Sequence, residues 1–136
     1  MQIGTLKIKN KPAIVASIGS NKPIETALLA KKLGADLLEI RIDLLQKDTA
    51  NEIRGIFGSI KNAGKLPIIA TNRRKEEGGS WKGKEKDRIE LLLSVLNLAD
   101  AIDIELKAES KDSVIKEVKS ANKTIIVSFH DFSNTP

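Results

Sequence analysis

The feature that most constrains the fold is a strict alternation of two kinds of segment along the chain. Short apolar runs rich in Ile, Val and Leu recur at residues 13–18, 37–42, 67–71, 101–106 and 124–129. Runs of this length, bounded by turn residues, are typical of strands buried on both faces. Each pair of runs is separated by a stretch that can hold a helix, so the order predicts parallel strands with helical crossovers.

Helical periodicity fills three of the gaps. The clearest helix is predicted over residues 84–98, where apolar side chains recur at i, i+3, i+4 and i+7. Further helices are predicted over residues 51–63, with Gly64 as C-cap, and over about 112–121. The side chains expected to face the sheet are Ile89, Leu92, Leu93, Leu96, Ile53, Ile56, Phe57, Ile60, Val114, Ile115 and Val118.

The first helix is predicted from its start and stop signals. Pro23 suits a first helical turn, with Ser20 or Asn21 as the cap, and Gly34 is a stop signal. The side chains expected to face inward are Ile24, Leu28 and Leu29.

The predicted class is α/β, in one of two architectures: an open doubly wound sheet or a (β/α)8 barrel. Periodicity alone does not separate them. The residues after the first strand read S-I-G-S-N at positions 17–21, not G-x-G-x-x-G, which disfavours a dinucleotide site.

Composition excludes several classes of protein. With 136 residues, 40% hydrophobic and 30% charged, the chain suits a single globular domain. The net charge is +5, but basic residues are mixed with acidic ones and aromatics are only 3%, which disfavours nucleic-acid binding. There is no cysteine, no apolar run of about 18 residues and no secretory signal at the start, so we expect a cytoplasmic protein without thiolate metal sites or a membrane span.

Polar side chains interrupt the apolar runs near their C-terminal ends. Side chains alternate along a strand, which puts Glu39, Arg41 and Asp43 on one face, with Ile40 and Ile42 on the other. Buried charges cost several kcal/mol unless they are paired, and the C-terminal ends of parallel strands form the active-site face in such folds. The sequence therefore predicts a pocket lined by Ser17, Glu39, Arg41, Arg73, Glu105 and His130.

The residue types indicate the chemistry of this pocket. Two arginines suit an anionic or hydroxyl-rich small ligand, and the single histidine suits proton transfer. Asp103 and Glu105 are interpreted as supports that orient arginine side chains. A structural role is the alternative for each: Glu39 and Arg41 as a strand-end ion pair, His130 as a structural histidine. Convergence of all of them on one face favours the functional interpretation.

The same residues resemble the motifs of type I 3-dehydroquinate dehydratases. Residues 39–43 resemble the E-x-R-x-D strand, and residues 71–79 (T-N-R-R-K-E-E-G-G) are similar to T-x-R-x3-E-G-G. Residues 103–106 resemble D-x-E-L, and residues 128–136 resemble S-x-H-D-F-x-x-T-P. The resemblance extends from about Pro12 onward, and the compact stretch at residues 77–83 is most similar to short, archaeal-type members.

The resemblance implies a (β/α)8 barrel enzyme of aromatic biosynthesis that dehydrates 3-dehydroquinate to 3-dehydroshikimate, the third step of the shikimate pathway. It implies a Schiff base between a lysine and the substrate, with no metal or organic cofactor. His130 would be the acid/base and Glu77 the carboxylate that orients or tunes it. The substrate-binding residues would be Ser17, Glu39, Arg41 and Arg73. A homodimer is also expected.

The chain departs from the family pattern at its end. The Schiff-base lysine is expected on the next strand, beyond Pro136, so these 136 residues would be one incomplete domain with about five strands and four helices, inactive by itself. Two alternatives stay open. One is an inactive half-barrel homologue that binds a small polyhydroxy acid, and the other is a different Schiff-base lyase or aldolase on the same barrel.

Overall fold

The structure, a computed structural model, describes residues 1–9, 11–47 and 49–133. A two-stranded hairpin comes first: β1 (Gln2–Ile3) and β2 (Leu6–Lys7). Strands and helices then alternate: β3 (Val15–Ile18), α1 (Pro23–Lys32), β4 (Leu37–Arg41), α2 (Ala50–Gly64), β5 (Ile68–Thr71), α3 (Glu85–Ser94), β6 (Ala101–Glu105), α4 (Lys111–Ser120) and β7 (Thr124–Ser128). Short 3₁₀ turns cover Ile42–Leu44 and Lys75–Glu77.

The five strands from β3 to β7 form one parallel sheet in chain order. Sequential order with a helix in each connection is the arrangement of successive β/α units in a barrel. The α/β class and all five predicted strands are confirmed, each within about two residues of the predicted ends.

The two faces of the sheet differ in composition because side chains alternate along each strand. The outer face carries Leu38, Ile40 and Ile102 and packs under the helices, against side chains such as Phe57 and Leu92. The inner face is apolar at the N-terminal ends of the strands, where Leu37, Ile69 and Ala101 cluster. At the C-terminal ends the same inner face is polar, with Glu39, Thr71, Asp103, Glu105 and Ser128 in line. Because the inner face changes from apolar to polar along the strands, the candidate site lies at their C-terminal ends.

The N-terminal hairpin was not predicted. Ile3 is 2% exposed and packs on Leu37, Ile69 and Ala101, so the hairpin covers the apolar end of the inner face. Thr124 donates a hydrogen bond from Oγ1 to the carbonyl oxygen of Gln2 (2.6 Å), which ties the hairpin to β7. The sequence signal was a two-residue turn at Gly4 (φ +58°) between apolar residues. The strands on either side are too short to show a period.

The inward orientation predicted for the first helix is wrong. Ile24, Leu28 and Leu29 are 37%, 45% and 55% exposed. Helix α1 lies over the edge strand β3 and contacts α2 on one side, so only Ala27 reaches full burial. The predicted cap is also wrong, because Lys22 is the N-cap. Ser20 Oγ accepts the N–H of Lys22 (3.3 Å) and shares a hydrogen bond with Thr26 Oγ1 (3.1 Å).

Two helix ends differ from prediction. Lys65, not Gly64, caps α2 in the left-handed region (φ 54°). Helix α3 ends at Ser94 rather than near Leu98, because the next residues turn through i to i+3 bonds such as Leu96 N to Leu93 O (3.1 Å). Within the described residues, no helix combines the length and apolarity needed to cross a membrane.

Candidate active site

Glu39 lies between two hydroxyl groups at the C-terminal end of the inner face. Ser17 Oγ donates to Glu39 Oε1 (2.7 Å) from β3, and Thr71 Oγ1 donates to Glu39 Oε2 (2.7 Å) from β5. The carboxylate thus bridges three adjacent strands while keeping partial exposure. Because hydroxyl groups neutralise no charge, Glu39 can still accept hydrogen bonds from a ligand.

Arg41 forms a bidentate pair with Asp43, not with Glu39. Nε donates to Oδ1 (3.0 Å) and Nη2 donates to Oδ2 (2.7 Å). The pair forms because the chain leaves the strand after Arg41 and the 3₁₀ turn folds Asp43 back. The hydrogen bonds that Arg41 donates to Asp43 raise the pKa of Arg41, although burial acts in the opposite direction.

Asp43 also holds backbone from the next β/α unit. Its Oδ1 accepts the N–H of Arg73 (3.1 Å), and its Oδ2 accepts the N–H of Ser80 (3.0 Å). Burial by itself raises the pKa of Asp43, but these bonds and the Arg41 pair outweigh it and lower the pKa. Asp43 therefore fixes the start and end of the segment from Arg73 to Ser80.

Arg73 is the centre of a buried network across β5, β6 and β7. Its Nη1 donates to Asp103 Oδ1 (3.0 Å), Glu105 Oε2 (3.0 Å) and Ser128 Oγ (2.8 Å). Ser128 in turn donates to Asp103 (2.6 Å). Burial lowers the pKa of Arg73, but Asp103 and Glu105 outweigh it and the net pKa is raised. Asp103 and Glu105, which the sequence analysis interprets as supports of arginine side chains, thus both contact the Arg73 guanidinium.

His130 and Glu77 meet at the β7 end of this face. Glu77 is 5% exposed, and its Oε1 accepts the backbone N–H of His130 (2.8 Å) and lies 3.4 Å from His130 Nδ1. The His130 side chain is 35% exposed. Of the described buried side-chain atoms, His130 Nδ1 and Glu77 Oε2 are among three that make no hydrogen bond. These two atoms are themselves buried, so the exposed part of the His130 side chain is the rest of the ring.

A cavity of about 520 Å³ opens beside this pair. Its lining residues include Glu77, His130, Arg74 and Lys107. Lys107 Nζ lies 5.1 Å from the centre of the Phe129 ring, a cation–π distance. The cavity brings a histidine, a buried carboxylate and two cationic groups to one place.

Backbone geometry explains the two glycines after Glu77. Gly78 has φ +85° and ends the 3₁₀ turn that carries Glu77. A Cβ on Gly79 would lie 2.0 Å from the carbonyl oxygen of Arg73, so only glycine fits there. This close approach folds the segment back on the strand end and buries Glu77 beside His130. Trp81, on the same segment, donates from Nε1 to the carbonyl oxygen of Lys84 (3.1 Å).

All eight predicted site residues thus lie at the C-terminal ends of the strands, in hydrogen-bonded groups rather than one contiguous cluster. Asn134, Thr135 and Pro136, which end the fourth motif, lie outside the described residues. Sequence reasoning missed Thr71 as a partner of Glu39 and missed Arg88 of α3, which donates from Nη1 to Glu105 Oε1 (2.9 Å). The signal for Arg88 was a charge next to Ile89 on the apolar face of the helix.

Comparison with known proteins identifies the family. The model of the family described as type I 3-dehydroquinase matches residues 14–136. The chain belongs to that family. Among curated relatives, the 3-dehydroquinate dehydratase of Methanosarcina acetivorans is 48% identical over 140 residues, covering 99% of this chain and 57% of the relative. That of Methanococcoides burtonii is 44% identical over 138 residues, covering 100% and 59%.

Solved structures support the family barrel. The type I 3-dehydroquinate dehydratase of Clostridium difficile, solved with covalently modified comenic acid, superposes with a TM-score of 0.93 at 25% identity. The superposition covers 100% of this chain and 58% of the Clostridium difficile chain. The 3-dehydroquinate dehydratase of Enterococcus faecalis superposes with a TM-score of 0.86 at 27% identity. That superposition covers 94% of this chain and 57% of the Enterococcus faecalis chain. These neighbours are type I dehydroquinase TIM barrels, so the five-stranded sheet corresponds to part of such a barrel. The chain spans just under three fifths of the length of these curated relatives: 59% for Methanococcoides burtonii and 57% for Methanosarcina acetivorans.

Proposed function

We propose that these residues are the N-terminal part of a 3-dehydroquinate dehydratase, which converts 3-dehydroquinate to 3-dehydroshikimate. The observation that carries the proposal is the partly exposed His130 beside the buried Glu77, on a cavity at the end of a face lined by arginines and carboxylates. Family membership supports the reaction. The chain covers 59% of a relative's length, which supports the proposal that residues 1–136 form one incomplete domain of a larger barrel.

The polar end of the inner face is proposed to bind the substrate. Glu39, which carries two hydroxyl partners and stays accessible, would accept hydrogen bonds from substrate hydroxyl groups. Ser17 would lie at the rim. Arg41 and Arg73 would donate to substrate oxygens, and their carboxylate partners hold each guanidinium in a fixed orientation before the substrate arrives.

The acid/base step is proposed for His130. A lysine amine first condenses with the substrate ketone and gives a protonated imine and water. His130 then takes a proton from the carbon beside the imine carbon, and the C–H electron pair moves into the imine to form an enamine. The enamine electrons expel the hydroxyl group on the next carbon, which takes the proton from His130 and leaves as water. Hydrolysis of the remaining imine returns the lysine and the product.

Glu77 is proposed to orient His130 through two contacts. It fixes the backbone N–H at 2.8 Å and lies 3.4 Å from Nδ1, which would stabilise the imidazolium formed in the proton transfer. The lysine itself is proposed to come from residues beyond this stretch. Lys107 lines the same cavity, but its ammonium lies on the Phe129 ring, where it is better placed to attract an anionic substrate.

A cytoplasmic homodimer is proposed for the whole protein. The support is general: most soluble oligomers are homo-oligomers, and two-fold dimers are the commonest kind.

Borohydride trapping tests the function. The complete protein, incubated with 3-dehydroquinate and borohydride, should gain the mass of the reduced adduct on one lysine and lose activity. If 3-dehydroquinate is not dehydrated, or if no lysine is modified, the dehydratase proposal is wrong. A related Schiff-base aldolase would instead form adducts with other carbonyl substrates.

Calorimetry of the 136-residue chain tests the binding alternative. Heat on titration with 3-dehydroquinate, lost in Glu39→Gln, would show a ligand site that needs no residue beyond this stretch. No heat at millimolar ligand would contradict the binding alternative, because the substrate site would then need residues beyond this stretch.

A further inference from the structure

Helix α3 carries a buried arginine that the proposed reaction does not use. Arg88 is 1% exposed and lies next to Ile89, where the apolar face of the helix meets the sheet. A buried guanidinium is costly unless each of its polar groups has a partner. Arg88 has such partners on both sides.

One side of Arg88 holds the helix, and the other reaches the strand ends. Nε and Nη2 donate to the two carboxylate oxygens of Glu85 (both 2.7 Å). Nη1 donates to Glu105 Oε1 (2.9 Å) and to the carbonyl oxygen of Asn72 (2.6 Å). Asn72 returns a bond from Nδ2 to the carbonyl oxygen of Arg88 (3.2 Å). The side chain is therefore fixed between the first turn of α3 and β6.

Glu105 connects Arg88 with the substrate-binding side. Its Oε1 is held by Arg88, and its Oε2 accepts from Arg73 Nη1 (3.0 Å) and from the N–H of Arg74 (3.2 Å). A carboxylate with only the second set of bonds could rotate about its terminal torsion, which is broad in glutamate. The bond from Arg88 removes that freedom.

We propose that Arg88 is a positioning residue, which locks Glu105 so that Glu105 in turn orients Arg73 toward the substrate. The proposal rests on the proposed function, since it assigns Arg73 to substrate binding. Arg88 is also charged whenever the protein is folded: burial lowers its pKa, but Glu85 and Glu105 outweigh this and raise it.

Kinetics of matched variants in the complete enzyme test the proposal. Arg88→Lys keeps the charge but cannot reach Glu85 and Glu105 together, because an ammonium lacks the planar fork. We expect KM to rise at least tenfold and kcat to stay within about threefold, since the His130–Glu77 contact does not include Arg88. In an Arg73→Lys background, Arg88→Lys should add little to KM. Equal changes in both backgrounds, or an unchanged KM, would overturn the proposal.

Glu85→Gln is the second variant, in case Arg88→Lys does not fold. Glu85 is 41% exposed at its side chain, and its loss frees the outer end of Arg88. Glu90→Gln, on the same helix with an exposed partner at 3.9 Å, is the matched control. We expect KM to rise severalfold in Glu85→Gln and to stay at the wild-type value in Glu90→Gln. If the two variants have the same KM, Arg88 only anchors the helix.

Solvent exchange of the Arg73 guanidinium protons, measured by ¹⁵N NMR, gives a reading that is independent of turnover. Exchange should be at least tenfold faster in Glu85→Gln than in Glu90→Gln. Faster exchange in a protein without dehydratase activity would refute the proposed function but keep the positioning role. Equal exchange in an active protein would refute only the positioning role.

Discussion

Two groups of charged residues lie on the same face and differ in how their hydrogen bonds are satisfied. Around Arg73, the partners Asp103, Glu105 and Ser128 are all paired, and Arg73 and its two carboxylates are nearly closed to solvent. At the β7 end, His130 is a third exposed, and one atom of His130 and one of Glu77 make no hydrogen bond.

The difference separates positioning from chemistry. A buried network of paired charges resists movement, and breaking it costs stability. A group that transfers protons must instead be reachable by its substrate, as the partly exposed His130 ring is. Substitutions in the Arg73 network should therefore lower stability, whereas substitutions in the His130–Glu77 pair should lower the rate.

Replacement of His130 by Gln should have the largest effect, and on rate alone. Loss of the proposed acid/base group should lower kcat by about 10²–10⁴-fold. The free energy of unfolding should change by less than about 0.5 kcal/mol, because the ring is partly exposed and the backbone N–H to Glu77 is kept. Dehydration of 3-dehydroquinate and urea unfolding measure the two quantities. A kcat within tenfold of wild type would remove His130 from the chemistry.

Replacement of Arg73 by Met should have the largest effect on stability. It leaves Asp103 and Glu105 buried without their cation, which should cost about 3–5 kcal/mol in urea unfolding. Arg74→Met is the matched control. Arg74 pairs at 3.0 Å with the exposed Glu76 and only at 3.9 Å with the buried Glu77, so its loss should cost about 1 kcal/mol. Equal losses in the two variants would contradict a special role for the Arg73 network.

Replacement of Asp43 by Asn should lower stability by about 1–3 kcal/mol, because donors that it satisfies become buried without an acceptor. The loss should depend on pH. The pKa of Asp43 is lowered in the folded state, so its contribution is present above the unfolded value of about 3.9 and is lost as pH falls through the folded value. Unfolding of wild type and Asp43→Asn at several pH values should therefore converge in acid. A difference that stays constant with pH would contradict the ionised pairing.

Replacement of Glu77 by Gln should have the smallest effect of the four substitutions. It tests most directly whether the His130–Glu77 pair differs from the Arg73 network. The amide oxygen can still accept the His130 N–H, so stability should be unchanged. The rate should fall about tenfold, or about 1.4 kcal/mol, because the charge beside the imidazolium is lost. Glu90→Gln, at an exposed position outside this cavity, is the control and should change neither quantity. A large loss of stability in Glu77→Gln would place Glu77 with the structural network.

The sequence by itself determined the order of strands and helices and which strand ends are polar. Both follow from local periodicity: Glu39 and Arg41 share a face because side chains alternate, and apolar Ile40 must then face the helices. The motifs added the family, and with it Glu77, which no period could mark. The hairpin and the exposed face of α1 escaped prediction, because β1 and β2 have two residues each and the burial of a helix depends on what lies beside it.

Only the tertiary structure decided which partner each charge has. Arg41 pairs with Asp43 because a 3₁₀ turn replaces the strand after Arg41, and Arg88 reaches Glu105 because the first turn of α3 lies against the end of β6. Glu77 and His130 are 53 residues apart in sequence. They lie side by side because Gly79 packs on the carbonyl oxygen of Arg73 and folds the segment that carries Glu77 back on the strand end. Ion pairs depend on distances of a few ångströms between segments far apart in the chain, and local periodicity carries no such distance.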